Sequence, residues 1–234
     1  MSLLTVGNPK LLKGQKKGYL SSVLHLAPAN LSGKEVCPKR TAGCTAACLN
    51  TAGRGGIFKK GETTNVIQQA RIRKTKMFFE ARQDFMHELV NEIQKTIKKA
   101  EKQGLIPVFR LNGTSDLAWE KYEVMLSGKN IFQLFPQVQF YDYTKVNNRK
   151  VKHIPNYHLT FSKADGNDMD VRIAISNGMN VAAVFHKVPE TYLGRPVING
   201  DETDLRFLDA KGVIVGLKAK GKAKKDTTGF VVQS

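Results

Sequence analysis

The chain has 234 residues, a formal net charge of +17 and three cysteines. This length suffices for one large domain with a substantial core. The first residues lack the apolar stretch of a signal peptide, and no apolar run reaches membrane-spanning length, so we expect a cytoplasmic protein without a membrane partner. The positive charge favours anionic partners, either small molecules or nucleic acid. Nucleic acid is possible but not favoured, because the basic residues are spread along the chain rather than focused among aromatic ones.

Apolar strands alternate with helical segments along the chain. A basic arm over 1–18 precedes one α/β domain over 19–218, and a lysine-rich tail covers 219–234. Strands are predicted at 19–27, 105–111, 138–143, 157–161, 181–185 and 213–217. Helices are predicted at 65–103 (as one helix or two), 117–126 and 169–176. This alternation predicts a parallel sheet covered by helices, either a curled, incomplete barrel or an open doubly wound sheet.

Polar residues follow the predicted strands. In a parallel sheet such residues meet at the carboxyl edge, where the sites of α/β proteins gather. We predict His186 and Asp116 as catalytic acid or base groups. The predicted substrate-binding residues are Arg110, Asn112, Ser115, Lys145 and Lys163. Taken singly, each has a structural explanation: Asp116 can cap a helix and the lysines can be solvated.

All three cysteines fall within twelve residues, at Cys37, Cys44 and Cys48, after the first predicted strand. Thiols used as small core residues are not expected to cluster in this way, and an odd number argues against a disulfide framework. Three thiolates suit a 4Fe–4S cluster with one open iron. Two alternatives remain, namely a zinc site completed by His25 or His186, and thiols without a ligand.

These motifs resemble two families. Three cysteines in a loop after the first strand of a (β/α)6 pattern resemble the radical S-adenosylmethionine (SAM) enzymes, whose usual spacing is C-x3-C-x2-C where this chain has C-x6-C-x3-C. The chain also resembles the phage gene-product-88-like proteins, through the cysteine loop, the stretch 109–116 with Trp119, and the stretch 140–145. The first resemblance implies an incomplete (β/α)6 TIM-like barrel with the cysteine loop after strand one. The second implies a phage protein in the host cytoplasm.

An iron–sulfur enzyme is the leading hypothesis from the three cysteines and the first resemblance. Cys37, Cys44 and Cys48 would hold one 4Fe–4S cluster. Its open iron would bind SAM, for radical chemistry fed by an electron donor, or a thiol or carboxylate of a small-molecule substrate, for Lewis-acid or sulfur-transfer chemistry. The alternative is a metal-stabilised nucleic-acid-binding protein without catalysis, which the net charge, the basic arm and the basic tail support.

Overall fold

A computed structural model describes residues 2–7 and 9–233 of the chain. In these residues ten strands form one mixed sheet. The strands are β1 (Leu4–Thr5), β2 (Tyr19–Leu24), β3 (Ile106–Arg110), β4 (Gln139–Thr144), β5 (Tyr157–Ser162), β6 (Val181–Phe185), β7 (Thr191–Tyr192), β8 (Arg195–Asn199), β9 (Ile214–Lys218) and β10 (Val231–Val232). The α-helices are α1 (Pro9–Gln15), α2 (Ala42–Ala46), α3 (Val66–Glu80), α4 (Arg82–Lys102), α5 (Ile131–Leu134) and α6 (Asp168–Ser176).

The order of strands across the sheet is β1-β2-β3-β4-β5-β6-β9-β8-β7. The run from β2 through β6 to β9 and β8 is parallel, whereas β1 and β7 are antiparallel to their neighbours. Strand β10 pairs in parallel with the second half of β6, past the last residue of β6 that pairs with β5. The C-terminal residues therefore lie on the sheet beside its carboxyl edge.

The predicted incomplete (β/α)6 barrel is wrong. The six predicted strands are present as β2 to β6 and β9, but they belong to an open mixed sheet. A barrel closes when its first and last strands approach each other. Here β1 covers one edge and the β7–β8 pair covers the other. The helices are also too few, because the fully described connection 145–156 has none and the predicted helix over 117–126 is reduced to a 3-10 turn, Trp119–Lys121.

Alternation along the strands gives the sheet two different faces. Phe109 and Phe140 face the main core, where the apolar stripe of α4 (Phe85, Leu89, Ile93) packs. Arg110, Tyr141 and Tyr143 occupy the alternate positions. There Tyr141 packs with Leu205 and Phe207, from the segment that precedes β9. The described helices include none with the length and apolarity that crossing a membrane requires.

Candidate functional site

A cavity of about 150 Å³ lies at the carboxyl edge of the sheet. Its lining residues are Val23, His25, Leu49, Arg71, Arg110, Gly113, Thr114 and Asp204. His25 directly follows β2, Arg110 is the last residue of β3, and Arg71 comes from α3. Two guanidinium groups therefore face the cavity against a single carboxylate, that of Asp204. This arrangement leaves the cavity with a positive charge.

Arg110 is held in the wall of the cavity by charge and by an aromatic ring. Its Nη1 donates to Asp204 Oδ2 at 3.0 Å, and its guanidinium carbon lies 4.7 Å from the centre of the Tyr143 ring. Burial lowers the pKa of Arg110, but Asp204, Tyr143 and Asp142 together raise it above the ordinary arginine value. The buried Nε has no hydrogen-bond partner among the described residues. Arg110 therefore stays charged.

Arg71 connects α3 to the cysteine-containing segment. Its Nη1 donates to the side-chain oxygen of the buried Asn50 at 2.5 Å. Asn50 lies in the 3-10 turn Leu49–Thr51, whose first residue also lines the cavity. Burial lowers the pKa of Arg71, although an arginine remains charged at any physiological pH. The hydrogen bond to Asn50 thus fixes a second positive charge at the cavity.

The pKa of His25 is lowered by its burial and by the positive charges around the cavity. Burial, followed by the charges of Arg71, Arg110 and Lys74, lowers its pKa from 6.5 to about 3, against a weaker opposing effect of Asp204. The imidazole is therefore neutral near pH 7, with one ring nitrogen as donor and the other as acceptor. A neutral histidine under this potential can hydrogen-bond an anion without adding charge.

Asn112 organises the turn that forms the floor of the cavity. Its side-chain oxygen accepts from Ser115 Oγ at 2.8 Å, from the Leu117 amide at 2.9 Å and from Trp119 Nε1 at 3.1 Å. The backbone N–H of Asn112 donates to Asp142 Oδ1 at 2.7 Å. Each bond satisfies a buried polar group that would otherwise be costly. The network holds Gly113 and Thr114 at the cavity.

Asp142 sits beneath this turn and is fully buried. Besides the Asn112 amide, it accepts a hydrogen bond from the Tyr157 hydroxyl at 3.0 Å. Burial raises the pKa of Asp142 from 3.8 to about 7, in spite of the opposing charge of Arg110 and the bond from Asn112. The carboxyl group is enclosed by protein, so it supports the turn rather than lining the cavity.

Asp116 and Lys145, two of the predicted site residues, join neighbouring strand ends. Asp116 Oδ2 accepts from the Lys145 amide at 2.7 Å, and Arg149 Nη1 lies 3.6 Å from its other oxygen. Burial raises the pKa of Asp116 against these favourable partners. The Lys145 ammonium group reaches Ser162 Oγ at 3.3 Å. Both side chains therefore lie at the predicted edge, but neither lines the cavity.

Lys163 and His186 lie farther along the sheet, next to the C-terminal residues. The buried Lys163 ammonium group donates to the carbonyl oxygens of Ala164 and Gly229, each at 3.4 Å. The His186 amide donates to the Val232 carbonyl at 3.3 Å. The structure thus brings Arg110, Asn112, Ser115 and Asp116 together around one turn, and it places Lys163 and His186 at a different part of the edge.

The predicted 4Fe–4S cluster is wrong. Within 2–7 and 9–233, no group of three or more histidine, cysteine, aspartate or glutamate side chains could hold a metal ion. The three cysteines are free thiols. The same finding overturns the zinc alternative, SAM bound at an open iron, the iron–sulfur enzyme and the metal-stabilised nucleic-acid-binding protein.

Contacts within the cysteine segment give the physical reason. Cys37 Sγ accepts from the Ala29 amide at 3.4 Å and lies 3.8 Å from the Thr114 carbonyl oxygen, to which the thiol donates. Burial, with smaller contributions from Cys48 and Cys44, raises the pKa of Cys37 to about 12. Burial also raises the pKa of Cys48. Cys37 therefore uses its sulfur on backbone groups of the protein itself, and both half-buried thiols are protonated in this structure.

Close packing explains one of the small residues between the cysteines, Gly43. Gly43 and Cys44 donate their backbone N–H groups to the Asp165 carboxylate at 3.0 and 3.2 Å, and Thr41 Oγ1 donates to it as well. A side chain at position 43 would overlap Thr228 Oγ1 and approach Asp165 Oδ1 to 2.6 Å. The glycine is thus required where this segment docks against two loops of the protein itself.

Sequence reasoning missed three of the charged or titratable residues at the cavity. His25 is predicted only as a metal ligand, because the predicted strand 19–27 contains it, whereas the observed strand β2 ends at Leu24 and leaves His25 at the edge. Arg71 lies within a long helical pattern, where nothing distinguishes it from the neighbouring Arg73. Asp204 lies in a polar stretch without periodicity. Only the three-dimensional arrangement reveals these last two.

Comparison with known proteins gives one match. The family model described as Gene product 88 matches residues 2–234. No curated protein and no solved structure matches the chain. The family match confirms the resemblance to the gene-product-88-like proteins, whereas the resemblance to radical SAM enzymes has no support.

Proposed function

The chain belongs to the gene product 88 family, and we propose that it binds an anionic ligand through a phosphate or carboxylate group seated in the cavity. The observation that carries the proposal is the pair Arg71 and Arg110, which face one cavity beside a histidine whose pKa they help to depress to about 3. Buried cations need counter-charge, and this lining supplies one carboxylate for two guanidinium groups.

Arginine chemistry supports an oxyanion in particular. A guanidinium group offers several N–H donors in a planar fork that matches carboxylate and phosphate oxygens. Arg110 has given Nη1 to Asp204 and Arg71 has given Nη1 to Asn50, and each guanidinium group carries further N–H donors. The neutral imidazole of His25 adds one donor that can turn toward the same anion. These groups together can bind two or three oxygens of one ligand.

The volume of the cavity limits what it can enclose. About 150 Å³ is room for about five water molecules, and it is below the range of about 300 to 1,000 Å³ typical of pockets that bury a whole ligand. The cavity therefore takes the anionic group, and the rest of the ligand lies outside. Leu49, which lines the cavity and is 57% exposed, provides apolar surface for that outer part.

The other predicted residues take supporting places in this proposal. Asn112 and Ser115 shape the floor of the cavity through the turn that they hold. Catalytic roles for Asp116 and His186, and substrate contacts for Lys145 and Lys163, stay predictions from the sequence. A small-molecule substrate as the partner likewise stays a prediction from the sequence.

Calorimetric titration with inorganic phosphate, and separately with acetate, tests the proposal. We expect saturable binding by the natural protein. Arg71→Met should weaken it about tenfold or more, because a charge-assisted hydrogen bond contributes roughly 1.5–3 kcal/mol. Arg73→Met is the matched control, since Arg73 is exposed on the same helix and does not line the cavity.

Fluorescence of the buried Trp119, the chain's one tryptophan, shows whether each variant is folded. A folded Arg71→Met variant with unchanged affinity, or equal losses in Arg71→Met and Arg73→Met, would contradict binding in the cavity. The relative strength of phosphate and acetate identifies which oxyanion the site prefers.

A further inference from the structure

We infer that the ligand is a single-stranded nucleic acid, with one phosphate in the cavity and the following phosphates on a basic rim formed by Lys222, Lys224 and Lys225. This inference rests on the proposed function, since it names the source of the bound oxyanion. It requires no metal. Three observations carry it, and they concern the position of the rim, its charge, and the apolar surface beside it.

The basic rim adjoins the cavity through direct packing. Lys222, Lys224 and Lys225 belong to the 3-10 turn Gly221–Lys225, which follows β9. This turn contacts the turn Leu49–Thr51, whose first residue lines the cavity. Behind both turns, Ala47 packs in one buried cluster with Ala219, Ala223 and Val231. The positions of the rim and the cavity are therefore fixed relative to each other.

The charge of the rim is uncompensated. All three lysines are exposed, and none of them forms an ion pair with a described residue. Lysines nearby behave differently, since Lys220 pairs with Asp201 at 2.5 Å and Lys17 pairs with Glu202 at 3.0 Å. Three adjacent cations beside an oxyanion cavity form the electrostatic track that a polyphosphate backbone requires.

Exposed apolar side chains belong to the cavity-lining turn and to the segment that follows it. Leu49, Ile57 and Phe58 are 57%, 68% and 39% exposed. The backbone there is held in place, because Asn65 Nδ2 donates to the carbonyl oxygens of Gly55 and Ile57 at 3.0 and 2.9 Å. Unstacked bases find contact area on such side chains, and Phe58 offers a ring for stacking.

This combination favours a single strand over the alternatives. A duplex hides the faces of its bases, so the apolar side chains would gain nothing from it. A bilayer presents its phosphates in a plane, whereas two half-buried arginines at a recessed cavity require a phosphate that reaches inward. A flexible single strand can place one phosphate inside and others along the rim.

Fluorescence anisotropy with a labelled oligothymidylate of about 12 nucleotides, titrated at several salt concentrations, tests the inference. Log affinity falls as log salt rises, and each phosphate contact on a single strand adds about 0.7 to the steepness of this fall. The triple variant Lys222→Gln, Lys224→Gln, Lys225→Gln should therefore make the fall less steep by about 2. The matched control is Lys95→Gln, Lys98→Gln, Lys102→Gln on the exposed face of α4, which removes the same charge and should leave the slope nearly unchanged.

Phosphate titration of the same variants separates this inference from the proposed function. The rim variant should bind inorganic phosphate like the natural protein, while Arg71→Met should lose affinity for both phosphate and oligonucleotide. Phosphate binding without oligonucleotide binding overturns the inference and leaves the proposed function standing. Equal slopes for the rim and control variants, equal affinity for a duplex, or binding to vesicles of anionic phospholipid in place of the oligonucleotide also overturns it. If the natural protein binds neither inorganic phosphate nor the oligonucleotide, both proposals are overturned.

Discussion

His25 shows how a single side chain can report the chemistry of its surroundings. Its lowered pKa arises first from burial and then from three cations, and the residue stays neutral where an exposed histidine would begin to titrate. The lowered value costs stability in acid, because the unfolded chain takes up a proton that the folded chain refuses. This contribution is present above pH 6.5 and is lost as the pH falls toward about 3.

Asp142 should give the opposite pH dependence. Its folded pKa of about 7 lies above the unfolded value of 3.8, so its contribution is fully present below pH 3.8 and is lost as the pH rises through about 7. Asp142→Asn keeps a neutral side chain of the same shape. Urea unfolding across this range should show the free energy of unfolding of the natural protein falling relative to the variant, by at most about 1.4 kcal/mol per pH unit. Parallel curves for the two proteins would contradict the raised pKa.

Asp204→Asn should change stability and anion affinity in opposite directions. In the natural protein, Asp204 accepts a hydrogen bond from the Arg110 guanidinium group. The side chain of Asp204 is 7% exposed and that of Arg110 is 13% exposed. Removing the carboxylate leaves a buried charge without its partner, which typically costs about 3–5 kcal/mol. The same change frees Arg110 for an external anion, so phosphate should bind more tightly and should raise the melting temperature more than in the natural protein. Weaker phosphate binding by the folded variant would contradict the assignment of Arg110.

Among the elements, the turn after β3 combines what the sequence predicts with what it conceals. Strand β3 and the polar residues after it follow from an apolar run that ends at Asn-Gly-Thr-Ser-Asp. The rule that such residues meet at the carboxyl edge places Arg110 and Asn112 correctly. The different roles of the two residues cannot be predicted from the sequence, because they depend on alternation and burial. Arg110 reaches the cavity, whereas the Asn112 side chain accepts hydrogen bonds from Ser115, Leu117 and Trp119.

Gly113→Ala tests this turn as an element. A Cβ atom at position 113 would lie 2.7 Å from the Leu24 carbonyl oxygen and 2.8 Å from His25 Cδ2. The first neighbour is backbone of β2 and the second lines the cavity, so the turn has to move. We expect a loss of about 1–3 kcal/mol in the free energy of unfolding, as for other overpacked sites, and weaker phosphate binding. Natural stability and affinity in the variant would show that the turn does not approach β2 this closely.

The cysteine segment marks a limit of sequence reasoning at the same scale. Three thiols among small residues suggest a metal ligand set, because spacing is all that the sequence offers. Gly43, for example, serves close packing against Asp165 and Thr228 instead. Cys37 is a half-buried group that bonds to backbone. No local pattern separates these two uses of cysteine.

At the scale of the whole molecule, the sheet could be predicted only in its middle. Six apolar runs specify the parallel strands β2 to β6 and β9. The edges depend on two-residue strands, β1 and β7, and on β8, which lies in a stretch that reads as irregular. Such short pairings leave little trace in composition or periodicity, and they decide whether the sheet curls into a barrel or stays open. The net charge of +17 also does not indicate where on the protein an anion binds.

The central claim is that an oxyanion enters the cavity between Arg71, Arg110 and His25. The most direct measurement is the nuclear magnetic resonance of the imidazole side chains during a phosphate titration, because the chain has five histidines and one of them lines the cavity. We predict that the His25 resonances shift saturably and that its pKa rises as the anion offsets the two arginines, while the other four histidines stay unchanged. Arg71→Met should abolish or weaken the shift. Unmoved His25 resonances, with any phosphate effect confined to the other histidines, would contradict the claim.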